Sequence, residues 1–460
     1  IPANTLASGG YAVDNSLRFN GSNDSLVRTP SSSGSTTINT WSFWVKRSEL
    51  DSSQTLYSSE VSSSNVFKIG FTSNTLEILF YVAPAYRFQI KTNRLFRDVS
   101  AFYNIVIIQN AGASTNTDRL QIWVNGVRET SFAITNFPDA DEGAAPINAS
   151  SVSQNIGTTG TENFGGYMSE VVHIDGTAYA ASDFGEFDED SGIFKPIDVS
   201  GLTFGTNGSY FQFKETGTSQ NSSGMGADTS GEDNHYAVNN LTAIDQSTDT
   251  CTNNFATLNP LYGLGSFTFT NGNLTVDEGS TSDASTISTI GFNQGKWYLE
   301  FKIVDQGTRG YLGFTDGADR GLAEGNIRSS PAKWGMYMPV YSSSSNTSGT
   351  INSNLGTATD NDIICFAFDA DNGQLFMSKN GNVDISSTAA ITGITTGNFF
   401  HFFFNETASG ADVSGYSINF GSPSYSISSS NADADGYGNF EYAVPSGYYS
   451  LNTKNLAEYG

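Results

Sequence analysis

Apolar and polar residues alternate with a period of two through most of this chain, and a helical period is almost absent. In Thr40-Trp41-Ser42-Phe43-Trp44-Val45-Lys46 the alternation puts Trp41, Phe43 and Val45 on one face. Val66 to Phe71 and Leu76 to Tyr81 read as a hairpin around Ser73-Asn74. Tyr103 to Ile108 is apolar but for Asn104, as a strand buried on both faces should be. Arg119 to Val124 ends in Asn125-Gly126, a pair that tolerates the positive φ of a tight hairpin. Strand patterning pauses after Phe213 and resumes at Phe267. Lys296 to Ile303 then alternates with Trp297, Leu299 and Phe301 on one face. Tyr311 to Phe314, Trp334 to Tyr337, Phe399 to Phe404 and Tyr416 to Phe420 follow. Asp362 to Phe368 and Leu375 to Ser378 form a hairpin across Asp369-Ala370-Asp371-Asn372-Gly373. Short strands at this spacing predict sandwiches.

With 460 residues the chain has room for two domains of roughly 200 residues each. Its net charge of −25 comes from scattered acids and few bases, so it describes a broadly negative surface and not an acidic tail. No Lys or Arg cluster could hold a phosphate backbone, which argues against nucleic acid and an anionic membrane as partners. Two cysteines, Cys251 and Cys365, make no disulfide framework, and Cys365 sits in an apolar run as a small buried hydrophobe. No apolar run approaches the ~18 residues of a membrane span. The opening Ile1-Pro2-Ala3-Asn4 does not read as a secretion signal.

Several segments resemble known families. Ser16 to Gly21, the Trp41 strand, Leu120 to Gly126, Asn155-Ile156-Gly157 and Phe164 to Val171 together resemble the laminin-G-like, concanavalin A-like lectin/glucanase family over about 11–214. Gly295-Lys296-Trp297-Tyr298-Leu299-Glu300-Phe301, Gly310-Tyr311-Leu312-Gly313-Phe314 and the hairpin ending Lys379-Asn380-Gly381 resemble a SPRY domain over 263–450. SPRY domains are sandwiches generally used for protein recognition. The resemblance implies an all-β chain of two concanavalin A-like (jelly-roll) β-sandwich domains in tandem. A lead-in at 1–10, an irregular connector at 215–262 and a C-terminal tail at 451–460 complete the division. The tandem as a whole resembles marine bacteriophage proteins through Phe184-Gly185-Glu186 with Lys195-Pro196, Asn253 to Pro260, and Tyr448 to Leu456. That resemblance implies a virion appendage or fibre displayed on the particle exterior, in several copies or as a homo-oligomer, recognising a host-surface glycan or protein. A decoration or connector protein gripping other virion proteins is the alternative, and a glycan depolymerase the minor one.

Candidate chemistry is sparse, and the chain reads as a non-enzyme. Glucanases of this fold place acids as E-x-D-x-x-E on one strand. Glu186-Phe187-Asp188-Glu189-Asp190-Ser191 comes nearest, but Ser191 stands at the final acid and the flanking Gly185 and Gly192 suggest a loop. His173, His235 and His401 lie far apart, the first and last in apolar strands where packing is the expected role. Gly291 to Lys296 is one residue short of a phosphate loop, and Trp297 replaces the Ser or Thr that would hold magnesium. Asn431-Ala432-Asp433-Ala434-Asp435-Gly436 has the alternating oxygens and turn glycine of a calcium loop, but the twelfth position is Tyr442 and Glu441 comes one residue early. If calcium binds, it binds at Asn431, Asp433 and Asp435; an ordinary Asp- and Gly-rich loop is the preferred reading. No other cofactor is expected. Tyr86, Tyr337, Tyr341 and Tyr437 are candidate sugar-stacking aromatics by context alone, with packing the preferred role for each.

Overall fold

The computed structural model describes residues 10–262, 267–278, 284–305, 310–316, 333–338, 340–342, 354–357, 359–406 and 415–460. Nearly all of the regular structure is β, with α-helices only at Asn116–Arg119 and Thr453–Tyr459 and single 3-10 turns at Ala181–Asp183 and Ala243–Asp245 among the described residues. The chain divides into two compact units that meet at Thr252 and Asn253.

In the first unit two antiparallel sheets enclose one core. One sheet runs Val127–Arg128, Leu120–Val124, Tyr103–Asn110, Ile38–Arg47, Gly165–Asp175, Ser16–Asn20 and Gln246–Ser247, with Ser209–Phe211 also paired to Gly165–Asp175. The other runs Phe132–Asn136, Ala85–Leu95, Thr75–Val82, Asn65–Thr72, Gln54–Ser62, Ser153–Ile156, Ser25–Arg28 and Ala237–Asn239. Trp41, Phe43 and Val45 point inward against Phe67, Ile69 and Ile78 of the facing sheet, as the alternation predicts. Ile105 and Ile107 join the same core, while Val106 and Ile108 project from the opposite face. There they meet Ala181, Phe184, Val199 and Phe204, so the segment after Asp175 covers the outer face of this sheet. Asn125 (φ 48°) takes the left-handed turn conformation expected of it, and Ser73 (φ 53°) adopts the same conformation in the turn of the other hairpin.

The second unit repeats the plan. Phe267–Thr270, Thr275–Glu278, Gly415–Asn419, Lys296–Asp305, Ile363–Asp369, Gln374–Lys379 and Ile391–Thr392 form one sheet. Ala284–Ile287, His401–Glu406, Gly310–Thr315, Lys333–Met338, Val340–Ser342 and Asn354–Thr357 form the other. Trp297, Leu299 and Phe301 pack against Leu312, Phe314, Phe402 and Phe404 across the interior. Ile364, Phe366 and Phe368 face that interior, and Ile363, Cys365 and Ala367 face a second apolar layer with Tyr425, Phe440 and Tyr448. Cys365 is fully buried.

The connector and the tail differ from the sequence expectation. Within 215–262, Ala237–Asn239 pairs with Ser25–Arg28 and Gln246–Ser247 with Ser16–Asn20, so this stretch completes both sheets of the first unit. Met225, Tyr236 and Leu241 enter its core. These strands are too short to show alternation. The loops between them are held by buried side chains, with Asp228 accepting from the backbone N–H groups of Tyr210, Ser230 and Asn234. From Asn253 onward the stretch belongs to the second unit, where Ala256 and Leu258 are core residues. The tail at 451–460 also contributes Leu451 and Leu456 to that core. Of the lead-in at 1–10, residues 1–9 lie outside the described residues.

Two buried polar groups serve the strand Gly165–Asp175 and its neighbours. Lys46 and Asp249 pair at 2.8 Å with each side chain only 1% exposed, and the Lys46 ammonium lies 5.5 Å from the Tyr167 ring centre. Glu170 sits at a bulge of that strand with φ 48°, accepting hydrogen bonds from the Tyr210 and Tyr11 hydroxyls. Burial lifts its carboxyl from 4.5 to about 7, and burial likewise lifts Asp24 to about 6.

Two outcomes follow for stability. Asp249→Ala strands the Lys46 ammonium in the interior and should cost about 3–5 kcal/mol, whereas joint Lys46→Met and Asp249→Leu should recover most of it in denaturant titration. For pH, the folded state holds its proton on Glu170 more tightly than the unfolded chain does. That stabilisation is complete below pH ~4.5 and is lost as pH rises towards ~7. Glu170→Gln should therefore flatten the fall of melting temperature across that window.

Candidate functional site

One sheet of the first unit is covered on its outer face; the other leaves part of its outer face open. On the strands Asn65–Thr72 and Thr75–Val82 the residues Phe67, Ile69, Phe71, Leu76, Ile78 and Phe80 turn inward. Pleating then sends Val66, Lys68 and Thr72, and Glu77, Leu79 and Tyr81, outward. The register aligns Glu60, Val66, Tyr81 and Tyr86 in one row across four strands. Ser58, Lys68, Leu79 and Gln89 form the next.

These rows floor a depression of about 640 Å³, with Thr159, Thr161 and Glu162 from the loop after Ile156 on its rim. Tyr81 and Tyr86 meet at 5.1 Å between ring centres with planes tilted by 57°, and Tyr86 is 48% exposed. Lys68 reaches Glu162 at 2.7 Å, tying floor to rim. Glu77 is buried and held at both oxygens, by the Thr72 hydroxyl at 2.5 Å and the Gln89 amide at 2.7 Å. Partial burial raises the Glu60 carboxyl above its ordinary range. An aromatic wall beside fixed hydrogen-bonding groups can hold a molecule with apolar faces and many hydroxyls.

Of the four candidate aromatics, Tyr86 lines this depression. Tyr437 lies in the second unit, half-buried under the Lys454 ammonium at 5.0 Å. Tyr337 and Tyr341 fall outside the residues whose side chains are described.

Asn431, Asp433 and Asp435 share a loop closed by pairing of Asn431 with Phe440, but their side chains do not converge. Asp433 is buried, and its Oδ1 accepts from the N–H groups of Asp435 and Tyr437. Its Oδ2 accepts from Ser450 N, the Ser450 hydroxyl and the Asn455 amide. Asn431 donates to the carbonyls of Phe440 and Glu441, Asp435 is exposed, and Glu441 turns away to Ser428. Among the described residues no group of three His, Cys, Asp or Glu is placed to hold a metal ion.

The acidic run after Gly185 is a hairpin. Gly185–Phe187 pairs with Phe194–Pro196, and Asp188 caps the turn by accepting from Asp190 N, Ser191 N and the Ser191 hydroxyl. Those Ser191 bonds, with Lys195 beside it, hold the Asp188 carboxyl down at about 2. Glu186 and Asp188 both reach the Lys195 ammonium, at 3.4 and 3.3 Å. His173 stacks on Trp41 at 5.1 Å, and burial drives its ring down to about 3. His401 bonds the Ser288 carbonyl at 3.0 Å, and His235 accepts from Asp228 N.

Residues 20–179 match the concanavalin A-like lectin/glucanases superfamily. The match spans every strand that floors the depression. No curated protein matches the chain. Among solved structures, the SPRY domain of human HERC1 is similar at 17% identity and a TM-score of 0.29, covering 35% of this chain and 96% of its own. A heptameric SAP-like pentraxin from Limulus polyphemus is similar at 14% identity and 0.28, covering 36% and 78%. Domain 4 of the arabinanase AbnA from Geobacillus stearothermophilus, solved with arabinotriose, is similar at 21% and 0.23, covering 32% and 64%.

The sequence reading missed Glu60, Lys68, Glu77, Tyr81 and Glu162. The signal was present in the hairpin alternation: once its apolar residues turn inward, Lys68, Glu77 and Tyr81 must share the outer face.

In the second unit, Asp433→Ala removes five hydrogen bonds from a buried loop and should cost at least about 2 kcal/mol. Denaturant titration with calcium and with a chelator should give the same loss if hydrogen bonding is the role of Asp433. A calcium-dependent gain present in the parent and absent from the variant would identify it as a ligand.

Proposed function

We propose that this protein is a non-catalytic recognition protein on the exterior of a bacteriophage particle, and that the open face of its lectin/glucanase-like domain binds glycan. The depression floored by Tyr81, Tyr86 and Glu77 carries the binding part of this reading. It joins exposed aromatic surface to hydrogen-bonding groups fixed by their neighbours. Binding without hydrolysis is favoured because the acidic run that comes nearest to a glucanase pattern is a hairpin turn.

The phage assignment rests on the resemblance of the tandem. Two segments that carry it, Asn253 to Pro260 and Tyr448 to Leu456, are zipped together. Ala256 N donates to Leu451 O, and Asn254 and Thr453 exchange hydrogen bonds. Several copies per particle would turn weak single contacts into firm attachment. The other virion proteins and a host-surface glycan are then the partners, with neither nucleic acid nor membrane insertion involved.

Tyr86 is exposed, so Tyr86→Ala should leave the melting temperature nearly unchanged. It should weaken glycan binding by on the order of 1–2 kcal/mol, about tenfold or more. Glycan-array binding by the full chain, compared with this variant, checks it. Antibody labelling of intact particles checks the location. Signal only after disruption would place the protein inside, and its absence from purified virions would refute the assignment.

A further inference from the structure

We propose that the open face of the first unit selects saccharides bearing amino groups over acidic ones; this rests on the glycan-binding reading of the same face. The depression contains the ionisable side chains Glu60, Lys68, Glu77 and Glu162, besides Tyr81 and Tyr86. Its one cation, Lys68, is already neutralised by Glu162 at 2.7 Å. The other basic groups of the sheet lie elsewhere. Arg87 pairs with Glu142 and Arg94 with Glu129, while Lys91 sits opposite Glu77 in the register but does not line the depression. Glu60 and Glu77 form no ion pair among the described residues, and the partners that fix Glu77 are a neutral hydroxyl and a neutral amide. An acidic sugar would thus meet the Glu60 and Glu77 carboxylates, and the cation that lines the depression is already paired. An ammonium group would meet those carboxylates in a partly desolvated setting, where opposite charge is least screened.

Geometry sets where such a group would sit. Glu60 and Tyr86 end one row, three strand spacings or about 14 Å apart. A short oligosaccharide stacked on the Tyr81–Tyr86 wall therefore extends over Val66 toward Glu60. Glu77, buried beside Leu79 with both oxygens bonded, adds its charge to the flank of the same ligand.

The test titrates the full chain by calorimetry at low salt with three oligomers of equal length: glucosamine, N-acetylglucosamine and galacturonate. The glucosamine oligomer should bind about fivefold tighter than the acetylated one, and the galacturonate weakest of all. Added salt should shrink the gap between the first two. In the joint Glu60→Gln and Glu77→Gln variant, checked for native fold by circular dichroism, the ratio of the two affinities should fall to near one. Equal binding of the two by the parent, or a preference that survives in the double variant, overturns the proposal while leaving glycan binding standing. Binding of none of the three, together with an empty glycan array, overturns the glycan reading itself.

Discussion

Burial of a central strand on both faces is the constraint from which the first unit follows. Tyr103–Asn110 carries Ile105 and Ile107 on one side and Val106 and Ile108 on the other. A sheet containing it cannot leave either face in water. The facing sheet seals one side, and the chain after Asp175 must return across the other, which it does with Phe184, Val199 and Phe204. The second sheet imposes no such demand. Its central hairpin turns Phe67, Ile69, Ile78 and Phe80 into the core and sends Lys68 and Glu77 outward beside Val66, Leu79 and Tyr81, so one apolar layer covers its inner face and the outer face stays mixed. The asymmetry between the sheets is what leaves one face able to meet a ligand. The second unit obeys the same rule, with Cys365 and its neighbours covered by Tyr425, Phe440 and Tyr448.

The parts of this fold that were legible in the sequence are those whose signal is local. Alternation in the Trp41 and Trp297 strands, the Asn125-Gly126 turn and the Asp369–Gly373 hairpin each depend on a few adjacent residues. The stretch from 215 to 252 was not legible, because its order comes from partners far away in sequence. Thr250 bonds the Val13 carbonyl, Gln246–Ser247 pairs with Ser16–Asn20, and Asp249 neutralises Lys46. A polar, glycine-rich stretch held by such long-range bonds looks, residue by residue, like a connector.

The candidate site was legible only in part, because alternation shows which residues face outward but not which of them meet. Motif reasoning searches for acids at fixed intervals, and both intervals found here belong to turns. Asp188 and Asp433 have the spacing of catalytic or calcium-binding acids, yet each gathers backbone N–H groups around itself, the commonest use of a buried Asp in a loop. The depression instead draws Glu60, Lys68, Glu77 and Tyr86 from four strands, one residue from each. No interval within a strand announces that set; only the register between strands assembles it.

The ends of each unit add a further step. In the first, Val13 N donates to the Thr252 hydroxyl, so its opening and closing segments meet. In the second, Asn253 and Asn254 bond Thr453 and Lys454. In each unit, segments far apart in sequence are thus bonded side by side at its edge. This pairing also explains why the segments carrying the tandem resemblance are not idle linker. Asn253 to Pro260 and Tyr448 to Leu456 form the seam that closes the second sandwich, where Ala256, Leu258, Leu451 and Leu456 enter its interior. A substitution there must satisfy packing and pairing together, whereas an exposed position on the open face of the first unit, such as Tyr86, has fewer neighbours to satisfy. Sequence change is therefore less constrained on the open face than in the seams that hold each module shut.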